Sequence, residues 1–372
     1  MSEAARPRVL MLSKACLVGI YQRKLEEIAR LGVDLLALVP PSWQDERGET
    51  RLERAFTAGY RLETAPIVFN GSFHLHAYPG LGRRLRAFAP QIVHIDEEPY
   101  NLATWQALWH ARRAGAKTLF FSWQNIERAY PPPFSWGERW TLARVDHAIA
   151  GTEGAAQVWR AKGYGGPLSV IPQFGVDADL FAPGAEAAPR PFTVGYFGRL
   201  VEEKGLALLL RAAAALPNPD WRLLLVGGGP QRDALETLAR QLGLGARAQF
   251  RELVPSAQMP ALYRELDALA LPSLTRPNWK EQFGRVLIEA MASGVPVVGS
   301  DSGAIPDVIG ADGLVFPEGS VEALAAHLAR LQASPELRAR LGQQGRARAL
   351  ARYTHRRVAA ATVEVYRALL AT

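Results

Sequence analysis

Glu281 and Glu289, with seven residues between them in Glu281-Gln-Phe-Gly-Arg-Val-Leu-Ile-Glu289, flank a glycine at the head of an apolar segment ending at Gly294-Val-Pro296. A loop feeding a helix there keeps Glu281 in the loop, sets the backbone N–H groups near Phe283 and Gly284 at the helix N-terminus, and carries Glu289 further along. That arrangement suits a phosphorylated sugar. The helix end holds a phosphate, the first carboxylate accepts hydroxyl hydrogen bonds, and the second grips a ribose. The same residues also read as a plain helix with an acidic first turn, which the helix dipole favours with no ligand at all.

Two further units supply the groups such a ligand needs. Thr193-Val-Gly-Tyr-Phe-Gly198 reads as a buried strand ending in glycine, followed by Arg199 and then Lys204-Gly205 ahead of an Ala/Leu-rich helix. Trp221–Val226 repeats the pattern, leading into Gly227-Gly-Gly-Pro230 and a helix with apolar positions at Leu235, Leu238 and Leu242. Strand, basic or glycine-rich turn, helix is a phosphate-site layout. Leu269–Ser273 and Val295–Gly299 add two short apolar strands. Ligands of open parallel sheets bind beyond the carboxyl ends of the strands, so these turns converge on one place.

These motifs occur in a fixed order: Gly198-Arg199-Leu200 with Gly205 after Lys204, Val-Gly-Gly-Gly-Pro, Leu-Pro-Ser, the Glu281 to Glu289 pair, Ala292-x-Gly294-x-Pro-Val-Val, and Gly303-Ala-Ile-Pro-Asp-Val-Ile309. In that order they resemble the nucleotide-sugar half of glycosyltransferase family 4, over most of residues 190 to 320. The resemblance implies an α/β protein of two Rossmann-like domains facing across a cleft, the GT-B fold, with a C-terminal helix crossing back onto the first domain. It implies transfer of a sugar from a nucleoside-diphosphate sugar with retention of anomeric configuration. Glu281, Arg199 and Lys204 would be catalytic. Donor binding would fall to Glu289, Phe283, Gly284, Val286, Leu287, Gly227 and Gly228, with Gly19 standing alone where the family has a glycine pair. No cofactor is expected beyond the donor. The single Asp177-Ala-Asp179 resembles the family's Gly-Val-Asp linker signature rather than a metal pair, so no metal site is expected.

The first half is less diagnostic. His94-Ile-Asp-Glu-Glu-Pro-Tyr100 and Ser122-Trp-Gln-Asn125 resemble acceptor-side loops of a bacterial branch of the family, which makes Glu97, Glu98, Gln124 and Asn125 the acceptor-side candidates. Gln124 stands in the region where many members carry a histidine, and it hydrogen-bonds but cannot become cationic. His94 reads as a strand core residue. Most tryptophans precede residue 172, among them Trp105, Trp109, Trp123, Trp136 and Trp140. Tyr130-Pro-Pro-Pro-Phe-Ser-Trp136 is too proline-rich for a helix and reads as a packed loop.

The elements that must position these groups follow from alternation. Arg8–Ser13, Val33–Val39, Ile92–Ile95, Thr118–Ser122, His147–Ala150 and Leu168–Ile171 read as buried strands, separated by helices such as Tyr21–Arg30, Leu102–Arg113 and Glu153–Ala161. Strands alternating with helices imply parallel sheets. Pro172–Pro191, with Pro183 and Pro189, reads as an interdomain linker. From about Ser320 the chain is helical, closing with Thr354–Leu370. The expected domains are 1–180 with 355–372, and 190–354.

Composition bounds the rest. At 372 residues the chain exceeds the roughly 250 to 300 of a single core. One cysteine, Cys16, precludes an intrachain disulfide and fits a reducing compartment. The start lacks a signal-peptide core and no apolar run reaches the roughly 18 residues of a span, which together suggest a cytoplasmic protein. The net charge of +7 is spread over both halves without a basic tail, arguing against nucleic acid. It permits weak peripheral contact with an anionic membrane, worth about 1 kcal/mol per basic residue near the surface. Expected partners are the donor and a glycan, lipid-linked or small-molecule acceptor. A nicotinamide oxidoreductase is disfavoured, since Gly227-Gly-Gly-Pro-Gln-Arg232 lacks the third fingerprint glycine. A nucleotide-sugar epimerase and a non-catalytic partner of a transferase stay as alternatives.

Overall fold

Short apolar runs alternating with amphipathic stretches form two α/β units in the computed structural model, Met1–Gly175 with His355–Thr372 and Val176–Thr354. The structure describes residues 6–45, 48–184 and 190–371, so Pro189 of the expected linker and the first five residues lie outside the described residues. Both unit boundaries are single backbone steps. Val176 N–H donates to Tyr353 O at 2.8 Å, which fastens the two ends of the second unit to each other.

The first unit runs β1 (Arg8–Leu12), α1 (Arg23–Arg30), β2 (Asp34–Val39), β3 (Ser42–Asp45), β4 (Gly48–Arg51), β5 (Arg61–Thr64), α2 (Leu81–Phe88), β6 (Ile92–Ile95), α3 (Leu102–Arg113), β7 (Lys117–Ser122), α4 (Phe134–Leu142), β8 (His147–Ala150), α5 (Glu153–Ala161) and β9 (Leu168–Val170). Its seven-stranded sheet has the order β5-β2-β1-β6-β7-β8-β9, while β3 and β4 make a separate antiparallel ribbon. The pairs of the large sheet are parallel, with Val9 between Leu35 and Ile92. Side chains alternate across a strand. Val9 and Met11 therefore enter one core layer with Leu25 and Ile28 of α1, while Leu10 and Leu12 enter the other with Leu85 and Leu108. Covering both faces is why these strands read as continuous apolar runs.

The second unit runs β10 (Phe192–Phe197), α6 (Leu206–Ala214), β11 (Trp221–Val226), α7 (Arg232–Gln241), β12 (Ala248–Arg251), α8 (Met259–Tyr263), β13 (Ala268–Leu271), α9 (Arg285–Ala292), β14 (Val297–Ser300), α10 (Ile305–Ile309), β15 (Leu314–Phe316), α11 (Val321–Ala333) and α12 (Pro335–Arg352). Its six strands are parallel in the order β12-β11-β10-β13-β14-β15. The last helix, α13 (His355–Ala371), belongs to the first unit: it packs on α1 and places Val358, Val363, Tyr366 and Leu369 in the core layer of Val9 and Met11.

One expectation is corrected. Tyr130–Trp136 is not loop throughout, because α4 begins at Phe134 directly after Pro131–Pro133. Proline is tolerated at the head of a helix, where its missing N–H has no intrahelical partner to lose.

Candidate active site

In the second unit the chain leaves β10 toward β11 on one side and returns as β13 on the other. The loops after β10 and β13 therefore part above the carboxyl ends of neighbouring strands, the place where open α/β sheets bind ligands. Lys204 and Glu281 meet at that point. Lys204 Nζ donates to Glu281 Oε2 at 2.6 Å, and Ser273 Oγ donates to the same oxygen at 2.8 Å. The ammonium also lies 4.8 Å from the centre of the Trp279 ring. Glu281 is buried and its main chain is fixed, since Ala304 N–H donates to its carbonyl at 3.1 Å. That approach requires the neighbouring glycine: Gly303 has φ +57°, and a Cβ there would sit 2.1 Å from Glu281 O.

The β11 turn is stitched to the same place. Leu200 N–H donates to Gly228 O at 2.9 Å, and Gln231 N–H to Leu200 O at 3.0 Å. Gly227 has φ +145° and would put a Cβ 1.9 Å from Gly198 O, so no side chain fits. Gly228 faces open space. Arg199 is exposed, its carbonyl held by the Tyr196 hydroxyl at 2.7 Å.

Around Glu289 the geometry is closed. Gly284 caps α9 in a left-handed conformation with φ 75°. One turn on, Glu289 Oε2 accepts from the Tyr263 hydroxyl at 2.7 Å and Oε1 pairs with Arg285 Nε at 3.0 Å. Burial, reinforced by Glu289, holds the Tyr263 phenol well above its ordinary range, so it remains a donor. Phe283 packs edge-on against Tyr353 at 5.8 Å, and Val286 is half-buried. Leu287 is a core residue whose N–H is already given to Gly284 O at 2.8 Å, so it has neither a side chain nor an amide to offer a ligand.

The first unit has its own switch point, between β1 and β6. Ser13 Oγ donates to Asp96 Oδ2 at 2.5 Å, and Lys14 Nζ forms an ion pair with Glu97 Oε2. Glu97 is buried, which alone would raise its pKa, but Lys14 and His76 hold it down at about 2. Glu98 goes the other way. Burial pushes it up to about 7, although Ser122 Oγ at 2.5 Å and Trp123 N–H at 2.8 Å both donate to it. These carboxylates line a cavity of 360 Å³ whose walls include Tyr21, Trp43, Phe73 and Trp123. Gln124 is buried next to it, giving its amide N–H to Ile126 O at 3.0 Å, with Asn125 buried beside it. Gly19 does not present its amide: that N–H donates to Glu53 Oε2 at 2.7 Å. Sequence reasoning passed over Lys14, Asp96, Trp43 and Phe73. Only Lys14 and Asp96 carried a signal, each being the polar residue just past a buried strand. His94 is a core residue, bonded through Nδ1 to the Tyr366 hydroxyl at 2.6 Å and kept neutral by burial.

Among the described residues no group of three or more His, Cys, Asp or Glu side chains is placed to hold a metal ion, and no helix is long and apolar enough to cross a membrane. Asp177 is used locally instead, its Oδ1 accepting from Asp179 N–H at 3.1 Å to close a turn.

Comparison with known proteins agrees with this geometry. The family model for glycosyl transferases group 1 matches residues 181–348, and that for a glycosyl transferase 4-like domain matches residues 20–173. A GDP-mannose-dependent alpha-(1-6)-phosphatidylinositol monomannoside mannosyltransferase of Mycolicibacterium smegmatis is 30% identical over 335 residues, 84% of each chain. A D-inositol 3-phosphate glycosyltransferase of Saccharomonospora viridis is 32% identical over 257 residues, 63% of this chain and 58% of that one. Among solved structures, a sucrose-phosphate synthase of Thermosynechococcus elongatus has the same fold, with a TM-score of 0.74 at 22% identity over 98% of this chain and all of the other. Two parallel sheets, each with polar residues gathered at its switch point, and family matches that span both of them lead to one assignment: the chain belongs to glycosyltransferase family 4, the GT-B enzymes that use nucleotide sugars.

Proposed function

We propose that this protein transfers a sugar from a nucleoside-diphosphate sugar to a hydroxyl of a glycan, lipid-linked or small-molecule acceptor, with retention of configuration and without a metal ion. The observation that carries the reading is the Lys204, Glu281 and Ser273 contact at the switch point of the second unit. As the bond from the sugar to the diphosphate breaks, negative charge gathers on the leaving group. Arg199 and Lys204 supply fixed positive charge against it, and the positive end of the α9 dipole adds to theirs. Glu281 accepts hydroxyl hydrogen bonds from the donor sugar and Glu289 holds the ribose. The acceptor hydroxyl attacks the face the diphosphate leaves, and a diphosphate oxygen takes its proton. The reaction is placed in the cytoplasm.

A mannosyltransferase dependent on GDP-mannose among the relatives makes that donor the first to try. The test is a turnover and hydrolysis screen across UDP-, GDP-, ADP- and dTDP-sugars, with and without EDTA, and the product anomer read by NMR. One donor class should turn over in EDTA and give the donor's own anomer. No turnover with any donor, inverted product, or strict dependence on a divalent ion would overturn the corresponding part.

A further inference from the structure

We infer that the cavity at the β1/β6 switch point of the first unit takes an uncharged, hydroxyl-rich sugar ring and rejects phosphorylated ones. Naming that sugar the acceptor rests on the transferase reading above; the binding preference itself does not.

The walls and floor supply two complementary surfaces. Trp43, Phe73 and Trp123 are flat and apolar, matched to the C–H faces of a sugar ring. The floor is made of acceptors. Asp96, only 5% exposed, spends Oδ2 on Ser13, while its buried Oδ1 has no well-aligned hydrogen bond among the described residues, the Gln173 amide being the donor near the carboxylate. Burial raises the Asp96 pKa, against the opposing effects of Lys24 and Ser13, and a sugar hydroxyl, which both donates and accepts, completes its oxygen with or without a proton. The volume of 360 Å³ lies at the small end of the roughly 300–1,000 Å³ range of ligand pockets, as a single ring demands.

The same residues leave an anion without a counterpart. Among the described lining residues Lys14 is the one cation, set against Asp45, Asp96, Glu97 and Glu98. That single charge faces four carboxylates, and Nζ is already paired with Glu97 and lies 4.7 Å from the Phe73 ring centre and 5.4 Å from that of Trp43. A second lysine, Lys24, is buried and donates to Gln173 O at 2.9 Å. Three of the backbone amides near this strand end are committed as well. Trp123 N–H donates to Glu98, Gly19 N–H to Glu53 and Cys16 N–H to Ser13 Oγ. Carboxylates stand where an anion would have to bind.

The experiment is donor-free binding by the full-length chain, read by tryptophan fluorescence and saturation-transfer NMR. The probes are methyl α-glycosides of glucose, mannose and galactose together with the 6-phosphates of the same three sugars. At least one neutral glycoside should bind at least tenfold more tightly than its phosphorylated counterpart. Asp96→Asn and Trp43→Ala should each weaken that glycoside at least fivefold, with the first unit's own calorimetric transition as the check that this unit is folded. Should Asp96→Asn fail to fold, Trp43→Ala, on the separate β3–β4 ribbon, carries the test alone. Equal or tighter binding of the phosphates, no saturable binding of any neutral glycoside, or unchanged binding in the folded variants would overturn the inference. Because no donor is present, these results are independent of whether transfer is found.

Discussion

Lys204 and Glu281 lie 77 residues apart in sequence and share a hydrogen bond at the end of a sheet, which makes their roles separable by substitution. Charge-assisted contacts contribute roughly 1.5–3 kcal/mol each. Arg199→Ala and Lys204→Ala should therefore each weaken nucleoside-diphosphate binding at least tenfold by calorimetry, with EDTA having little effect. Their stabilities should differ. Lys204→Ala removes the cation paired with a buried carboxylate and should lower the melting temperature, while exposed Arg199→Ala should leave it within a degree or two. Glu281→Gln should impair transfer with free nucleotide still binding, whereas Glu289→Gln should weaken nucleotide and nucleotide sugar alike. Wild-type turnover in a folded Glu281→Gln protein would refute the first assignment, and equal nucleotide loss in both variants would refute the division. Glu98 carries a pH signature. Its pKa of about 7 in the fold lies above the 4.5 of an unperturbed glutamate, so it holds its proton more tightly when folded. Its contribution to stability is complete below about pH 4.5 and is lost as pH rises through 7, a change on the order of 3 kcal/mol. Glu98→Gln should flatten that slope in denaturant titrations between pH 5 and 8, and an unaltered slope would exclude Glu98 as its source. At this scale the second-unit residues were legible because Arg199, Lys204, Gly227 and Glu281 stand in local motifs. The first-unit pairs were not, since Lys14 with Glu97 and Ser13 with Asp96 are long-range partnerships that only the β1–β6 pairing creates.

Loops, more than helices or strands, decide whether the second-unit groups meet, and two adjacent glycines there make an internal control. Gly227→Ala forces a left-handed backbone and a contact 1.9 Å from Gly198 O, so it should cost roughly 1–3 kcal/mol and reduce nucleotide affinity. Gly228→Ala meets nothing within 4 Å and should stay within about 0.5 kcal/mol of wild type. Equal effects in thermal melts and calorimetry would show that the turn is not held as described. Interior strands were readable because helices cover both faces and leave an unbroken apolar run. The missed strands β5, β12 and β15 are all at sheet edges, β5 and β12 interrupted by polar residues and β15 an apolar run of only three, while β3 and β4 form a largely polar ribbon. α4 was missed for a different reason: proline ends helices in their interior but is well placed at their start, and only its position relative to Phe134 distinguishes the two.

Each unit of the molecule has its own core, and α13 is the piece of sequence that does not follow chain order. Five large buried apolar side chains, Val358, Val363, Val365, Tyr366 and Leu369, leave the first unit if His355–Ala371 is removed. At roughly 1.5–3 kcal/mol each, their loss is comparable with the whole stability of an ordinary domain. Calorimetry of that truncation should show the first unit's transition abolished and the second unit's kept near its wild-type temperature; retention of both transitions would contradict the packing described. The same placement inverts the order in which the protein can mature on the ribosome. Residues 176–354 are contiguous and can fold as soon as they clear the exit tunnel, although they are made second. The unit made first must wait, with the core layer that α13 completes left open, through the synthesis of about 200 further residues at ~5–20 per second. For that interval of tens of seconds or less, the nascent chain carries apolar side chains of an incomplete core, Val9, Met11 and Ile28 among them, and slowing translation lengthens their exposure.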